Sequence, residues 1–202
     1  YEISPLQAGM LFHSLHRPGS GAYFEQCWCT LEGPLETERF RLAWQKVINR
    51  HGVLRSECRW EGLDNPVQLI YDTAEPAWEI LDWTAQRDTD TAFAEWLAQD
   101  RGRGFRLDQA PLMRFALMRL GVDRCRFVWS FHHLLMDGWC GALLVREMLR
   151  HYKGGEVPDE PAPYRNYVEW RAGQDETIAE EYWRKALAGL EAPTPLGMDR
   201  HI

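Results

Sequence analysis

Apolar and polar positions follow two rhythms along the chain, and the switches between them predict its elements. Leu6, Met10 and Leu11 recur at helical spacing after Ser4-Pro5-Leu6-Gln7. Ser4 can cap that helix, Pro5 suits its first turn and Gln7 completes a capping box, until Pro18-Gly19 stops it. Residues 23–31 alternate aromatic and polar side chains as a strand does. Phe40, Trp44, Val47 and Ile48 then share one face of a helix over 36–50, with His51-Gly52 at its end. Three short strands follow over 54–60, 67–71 and 78–81, the first two separated by Asn65-Pro66. A third helix over 89–101 carries Phe93, Trp96 and Leu97. Strands over 112–120 and 125–132 flank Gly121-Val122-Asp123, a hairpin-like turn. A fourth helix spans 138–152 and ends at Gly154-Gly155. Pro158, Pro161 and Pro163 make 153–163 an extended connector, and two polar helices over 164–171 and 176–188 close the chain. Strands interleaved with helices, with hairpins beside longer crossings, predict an α/β sandwich built on a mixed sheet.

Composition narrows the function. The length, 202 residues, suits one domain or two small lobes, and ten Trp with eight Phe exclude a disordered chain. A net charge of −7 without a basic stripe argues against nucleic acid, and no apolar run is long enough to span a membrane. The chain opens on Tyr1 without a signal peptide and reads as a segment of a longer polypeptide. Cys27, Cys29, Cys58, Cys125 and Cys140 contain no C-x-x-C pair, and their odd number speaks against a disulfide framework. They are expected to be small buried thiols in a reducing cytoplasm, and no zinc-like spacing points to a metal.

Chemistry concentrates at Phe131-His132-His133-Leu134-Leu135-Met136-Asp137-Gly138-Trp139, where an aromatic strand gives way to a helix. Neighbours in a strand point to opposite faces, so one histidine should face a cleft while the other braces the backbone. A neutral imidazole accepts a proton near physiological pH and can serve as a general base or positioning group. Two satisfied core histidines are the competing reading. Asp137 can cap the following helix, or pair with a buried arginine, for which Arg55 is the best candidate. Gly138 would let a substrate or loop approach closely, and a plain helix start explains it equally well. Trp139 is expected to pack rather than react. Arg101, Arg103 and Arg106 suit the end of a helix dipole, with a phosphate-contacting patch as the alternative.

The segment His132-His133-Leu134-Leu135-Met136-Asp137-Gly138 resembles the HHxxxDG motif of the condensation domains of nonribosomal peptide synthetases, within the chloramphenicol acetyltransferase-like superfamily. Ser4-Pro5-Leu6-Gln7-Ala8-Gly9-Met10-Leu11-Phe12-His13 resembles that family's opening signature. Arg50-His51-Gly52-Val53-Leu54-Arg55-Ser56 resembles its second, and Tyr164-Arg165-Asn166-Tyr167-Val168-Glu169-Trp170 its fourth. All four stand in family order. The resemblance implies a chloramphenicol acetyltransferase-like α/β sandwich whose mixed, largely antiparallel sheet is flanked by helices.

It also implies an activity. Condensation domains join a carrier-bound donor thioester to the amine of a carrier-bound acceptor, forming an amide and freeing the donor thiol. By position His133 is the catalytic residue, His132 and Gly138 shape the site, and Asp137 paired with Arg55 is structural. No cofactor is bound directly, because substrates arrive on the 4'-phosphopantetheine arms of donor and acceptor peptidyl carrier proteins. A neighbouring adenylation domain is a further expected partner; nucleic acid and membrane are not. The opening signature looks most like the subtype that accepts a donor ending in a D-residue. All four motifs belong to the N-terminal lobe, so residues 1–202 are expected to be that lobe without its C-terminal partner, and inactive alone. An epimerising relative, or a non-catalytic module that recruits a partner enzyme, are the alternatives; a heterocyclising relative would carry aspartate in place of the histidines.

Overall fold

Helix α1 (Pro5–His16) begins on the expected capping box: the Ser4 hydroxyl accepts the Gln7 backbone N–H, and the Gln7 side chain accepts that of Ser4. The structure, a computed structural model, describes residues 1–157 and 160–192. After α1 come β1 (Phe24–Glu32), α2 (Thr37–Arg50) and a 3₁₀ turn over Gly52–Arg55. The chain continues through β2 (Ser56–Arg59), β3 (Val67–Ile70), β4 (Ala77–Asp82), α3 (Thr89–Arg103), β5 (Met113–Gly121), β6 (Arg124–His132) and α4 (Gly138–Tyr152). Helices α5 (Tyr164–Ala172) and α6 (Glu176–Ala186) follow. Pro158 of the expected connector lies outside the described residues.

The main sheet has strand order β1-β6-β5-β4. Its β1/β6 and β5/β6 pairs are antiparallel and its β4/β5 pair parallel, which makes it mixed and largely antiparallel as expected. Strands β2 and β3 form a separate antiparallel pair.

Alternation along the central strands fills two cores. Phe115, Leu117, Phe127, Trp129 and Phe131 pack with Phe40, Trp44, Val47 and Ile48 of α2 and with Leu144 and Met148 of α4. Trp44 is fully buried, with its ring centroid 4.9 Å from that of Phe115 and 4.8 Å from that of Trp129. The intervening Ala116, Met118 and Val128 pack with Phe93, Trp96 and Leu97 of α3. Helices thus cover both faces of the sheet, as the sandwich reading requires.

Residues 1–168 and 169–202 separate into two units. Within the second, Asp175 caps α6 through the Thr177 backbone N–H, and Arg184 pairs with Glu180 one turn back along an exposed face.

Candidate active site

Strand β6 ends on the histidine pair, and its alternation separates the two rings. His132 is 4% exposed, while the next residue is only partly buried. Each nitrogen of the His132 ring has a partner. The Leu134 backbone N–H donates to Nδ1 at 3.2 Å, so that nitrogen carries a lone pair. Nε2 lies 3.2 Å from the Ser14 hydroxyl, which already donates to the Met10 carbonyl at 2.8 Å. Nε2 therefore holds the proton and Ser14 accepts it. Burial, with the neighbouring His133 as a smaller cause, pushes the His132 pKa down to about 4. His132 is the bracing member of the pair.

His133 is held by its backbone. Its N–H donates to the Tyr23 carbonyl at 2.8 Å. Its Nδ1 is buried and has no hydrogen-bond partner among the described residues. The main chain is thus pinned while the imidazole keeps its hydrogen-bonding capacity.

The connection to α4 is made by Asp137, whose carboxylate accepts the Cys140 backbone N–H at 2.9 Å. That contact caps the helix and holds the carboxyl below its ordinary range. The expected ion pair to Arg55 is not formed among the described residues. Arg55 instead donates to the carbonyls of Ile48 (2.7 Å), Asn49 and Tyr71 (2.8 Å). The reason is local: the last turn of α2 leaves carbonyls without intrahelical donors, and the guanidinium supplies them. Asp137 and Arg55 each bond to nearby backbone and not to each other. Beside Gly138, a Cβ would meet nothing within 4 Å, so no contact of the described chain requires glycine there.

The quoted motifs meet in space. The Gln7 amide that closes the capping box also donates to the Leu134 carbonyl at 3.1 Å, tying the first motif to the histidine loop. The Tyr164 hydroxyl donates to the Ser4 hydroxyl at 3.3 Å. Arg50 and His51 both reach Glu147 of α4, at 3.3 and 2.8 Å, joining the second motif to the helix that Asp137 caps.

One buried network was not anticipated from sequence. Asp100 is fully buried and accepts from Arg114 Nε (2.6 Å), Arg103 (2.8 Å), Gln26 (2.8 Å) and the Ser130 hydroxyl (2.5 Å). Burial alone would raise its carboxyl pKa; the hydrogen bonds from Arg114, Ser130 and Gln26 outweigh it and hold the group below its usual range. Ser130 stands two residues before His132, so the charge anchors strand β6 from the α3 face. The arginines at the end of α3 are engaged internally. Arg101 donates to the Phe24 carbonyl, Arg103 pairs with Asp100 and Glu79, and Arg106 pairs with Asp108. A cleft of about 400 Å³ opens there beside Trp60, Phe105 and His132; His133 is not among its lining residues.

Two expectations are corrected. Cys27, Cys29 and Cys140 are exposed, because Cys27 and Cys29 lie on an edge strand and Cys140 in the first turn of α4; Cys58 is buried. Trp139 is 85% exposed and packs against nothing that would bury it. No helix among the described residues is long and apolar enough to cross a membrane.

A mixed sheet covered on both faces, with a histidine pair at the end of its central antiparallel strand, fits the chloramphenicol acetyltransferase-like α/β fold. The sequence family described as "Condensation domain" matches residues 1–201, and the chain belongs to the condensation domains of nonribosomal peptide synthetases. It is 42% identical over 205 residues to a component of the linear gramicidin synthase of Brevibacillus parabrevis, covering 98% of this chain and 3% of that protein. Bacitracin synthase 3 of Bacillus licheniformis is 35% identical over 201 residues, covering 97% and 3%. A mutant of the starter condensation domain of rhizomide synthetase RzmA superposes with a TM-score of 0.85 at 25% identity, covering 96% of this chain and 49% of that one. The first condensation domain of the calcium-dependent antibiotic synthetase shares the fold, with a TM-score of 0.78 at 19% identity, over 96% and 48%. The chain thus spans about half the length of these solved chains and a small fraction of the synthetases.

Proposed function

We propose that this chain supplies the histidine-bearing N-terminal lobe of an amide-forming unit. The observation that carries the reading is His133: its backbone is fixed by Tyr23 while its Nδ1 has no hydrogen-bond partner among the described residues. In the proposed reaction a carrier-bound acceptor amine attacks the carbonyl carbon of a carrier-bound donor thioester. The C–N bond forms, the C–S bond breaks, the donor thiol leaves and the amine loses a proton. A thioester is already activated, so placing the amine is a large share of the task. His133 contacts that amine, holding it in line or taking its proton. The open space at Gly138 suits close approach of a pantetheine thioester. The opening signature, with Gly9-Met10-Leu11-Phe12-His13, supports a donor ending in a D-residue. Both carrier arms, a C-terminal lobe and a neighbouring adenylation domain complete the unit, which works in the cytoplasm.

The coverage of about half of each solved condensation-domain chain supports a further part of the reading, that this chain alone is inactive. Donor and acceptor carriers loaded with defined aminoacyl groups provide the test, with the dipeptidyl carrier followed by mass spectrometry. The complete domain should form product and the 202-residue chain should not. Product from the chain alone would refute the need for a second lobe, and none from the complete domain would refute amide formation.

A further inference from the structure

The turn from α1 into β1 contains a strained residue beside the histidine pair. Tyr23 has φ +61°, and among the described residues it is the only non-glycine with positive φ. An L-residue avoids this region because its Cβ crowds the following carbonyl. Gly19 and Gly21, just before it, take the same region without that penalty. Strain of this kind persists where the surroundings over-determine it. Here Phe24 provides the anchor. It is 4% exposed, its N–H donates to the Gly21 carbonyl at 3.2 Å, and its own carbonyl accepts from Arg101 at 2.9 Å. The guanidinium groups of Arg101 and Arg114 lie 5.2 and 5.3 Å from its ring centroid.

The result of the turn is felt at His133. The β1/β6 ladder ends at the pair Phe24 and His132, so the next N–H lies beyond it. The Tyr23 carbonyl takes that N–H at 2.8 Å. The Tyr23 ring meanwhile lies between two imidazoles, with centroids 6.4 Å from His13 and 6.2 Å from His132. We infer that Tyr23 is a positioning residue: its carbonyl fixes the His133 main chain and its ring holds the left-handed turn against His132, so that the His133 imidazole is presented in one orientation. The ring, not the hydroxyl, carries this role. The inference rests on the reading of His133 as the catalytic side chain.

The test compares Tyr23→Phe, Tyr23→Ala and Tyr23→Gly in the complete domain, with loaded carriers and thermal unfolding in parallel. Tyr23→Phe should keep kcat within about twofold, whereas Tyr23→Ala and Tyr23→Gly should lower it about tenfold or more with the acceptor KM little changed. Amide hydrogen exchange on the 202-residue chain supplies the second readout. In Tyr23→Gly the His133 amide should lose protection while that of Trp129, deep in β6, keeps it. Unchanged kcat in the alanine and glycine variants overturns the inference, as does unchanged His133 protection. A phenylalanine variant as impaired as alanine also overturns it, since the hydroxyl would then be the active part. His133→Ala with full product formation would instead remove the catalytic reading, and the exchange measurement would still decide whether Tyr23 holds that backbone.

Discussion

Acidification from pH 7 to pH 5 is expected to cost about 2 kcal/mol of folding stability through one ring, that of His132. In the folded chain its pKa is about 4, against an ordinary value of 6.5 in the unfolded chain. Between those values the unfolded state binds the proton and the folded state does not. Stability therefore rises with pH across the window and is lost as pH falls through it. The linkage reaches its limit of about 3 kcal/mol below pH 4 and has delivered about 2 kcal/mol by pH 5. Burial is the main cause, with His133 a smaller one, and a second ring proton would also point at the Leu134 N–H, donor against donor. Urea unfolding of the wild type and His132→Asn at pH 7 and pH 5 isolates this ring. Asparagine can still accept the Leu134 N–H and never titrates. The variant should be the less stable protein at pH 7, having lost the Ser14 contact, yet its loss on acidification should be smaller by about 2 kcal/mol. The other histidines are common to both proteins and cancel in the comparison. Equal losses in the two proteins would refute the buried neutral tautomer.

Three further outcomes follow from the packing. Arg114→Met leaves Asp100 buried with part of its compensation gone and should cost about 3 kcal/mol by urea unfolding; a change under about 1 kcal/mol would contradict the network. Trp44→Ala removes the ring that joins Phe115, Phe127 and Trp129 and should cost about 3–5 kcal/mol, with a small loss indicating a loosely packed core. Asp137→Ala should cost about 1 kcal/mol through the lost cap, and its effect should add to that of Arg55→Ala within about 0.5 kcal/mol. A coupling well above that value would show that the two side chains pair after all.

Elements with strong local signals were legible in the sequence. The capping box of α1, the apolar face of α2 and the start of α4 at Gly138 depend on side chains within a few residues, and the structure places all three where the pattern does. The first short strand begins later than its pattern predicts. Residues 52–55 form a 3₁₀ turn because the chain must leave α2 while Arg55 reaches back to its last carbonyls. The same local demand explains the missing pair with Asp137: each side chain found a backbone partner nearby. Arg101, Arg103 and Arg106 looked like charges for a helix end, and only the fold reveals that Arg103 and Arg114 converge on one buried carboxylate.

The histidine pair shows the same boundary. Period-two alternation puts the two rings on opposite faces, but it does not say which one braces the loop or whether either stays without a partner. That assignment depends on Ser14 and Leu134, whose contacts cross from α1 and from the loop. Tyr23 carried no sequence signal for its left-handed backbone, since tyrosine is not a residue that favours it. Exposed Cys27 and Cys29 escaped for a related reason: whether a strand is central or at an edge is settled by pairing, not by its own composition.

His133 is the side chain through which, as proposed, this lobe takes part in amide formation. Single-turnover condensation by the complete domain, with loaded donor and acceptor carriers, measures it directly when wild type and His133→Ala are compared at matched folding. The variant should be slower by about 10² or more, with thermal stability essentially unchanged. Equal rates in the two folded proteins would contradict that role.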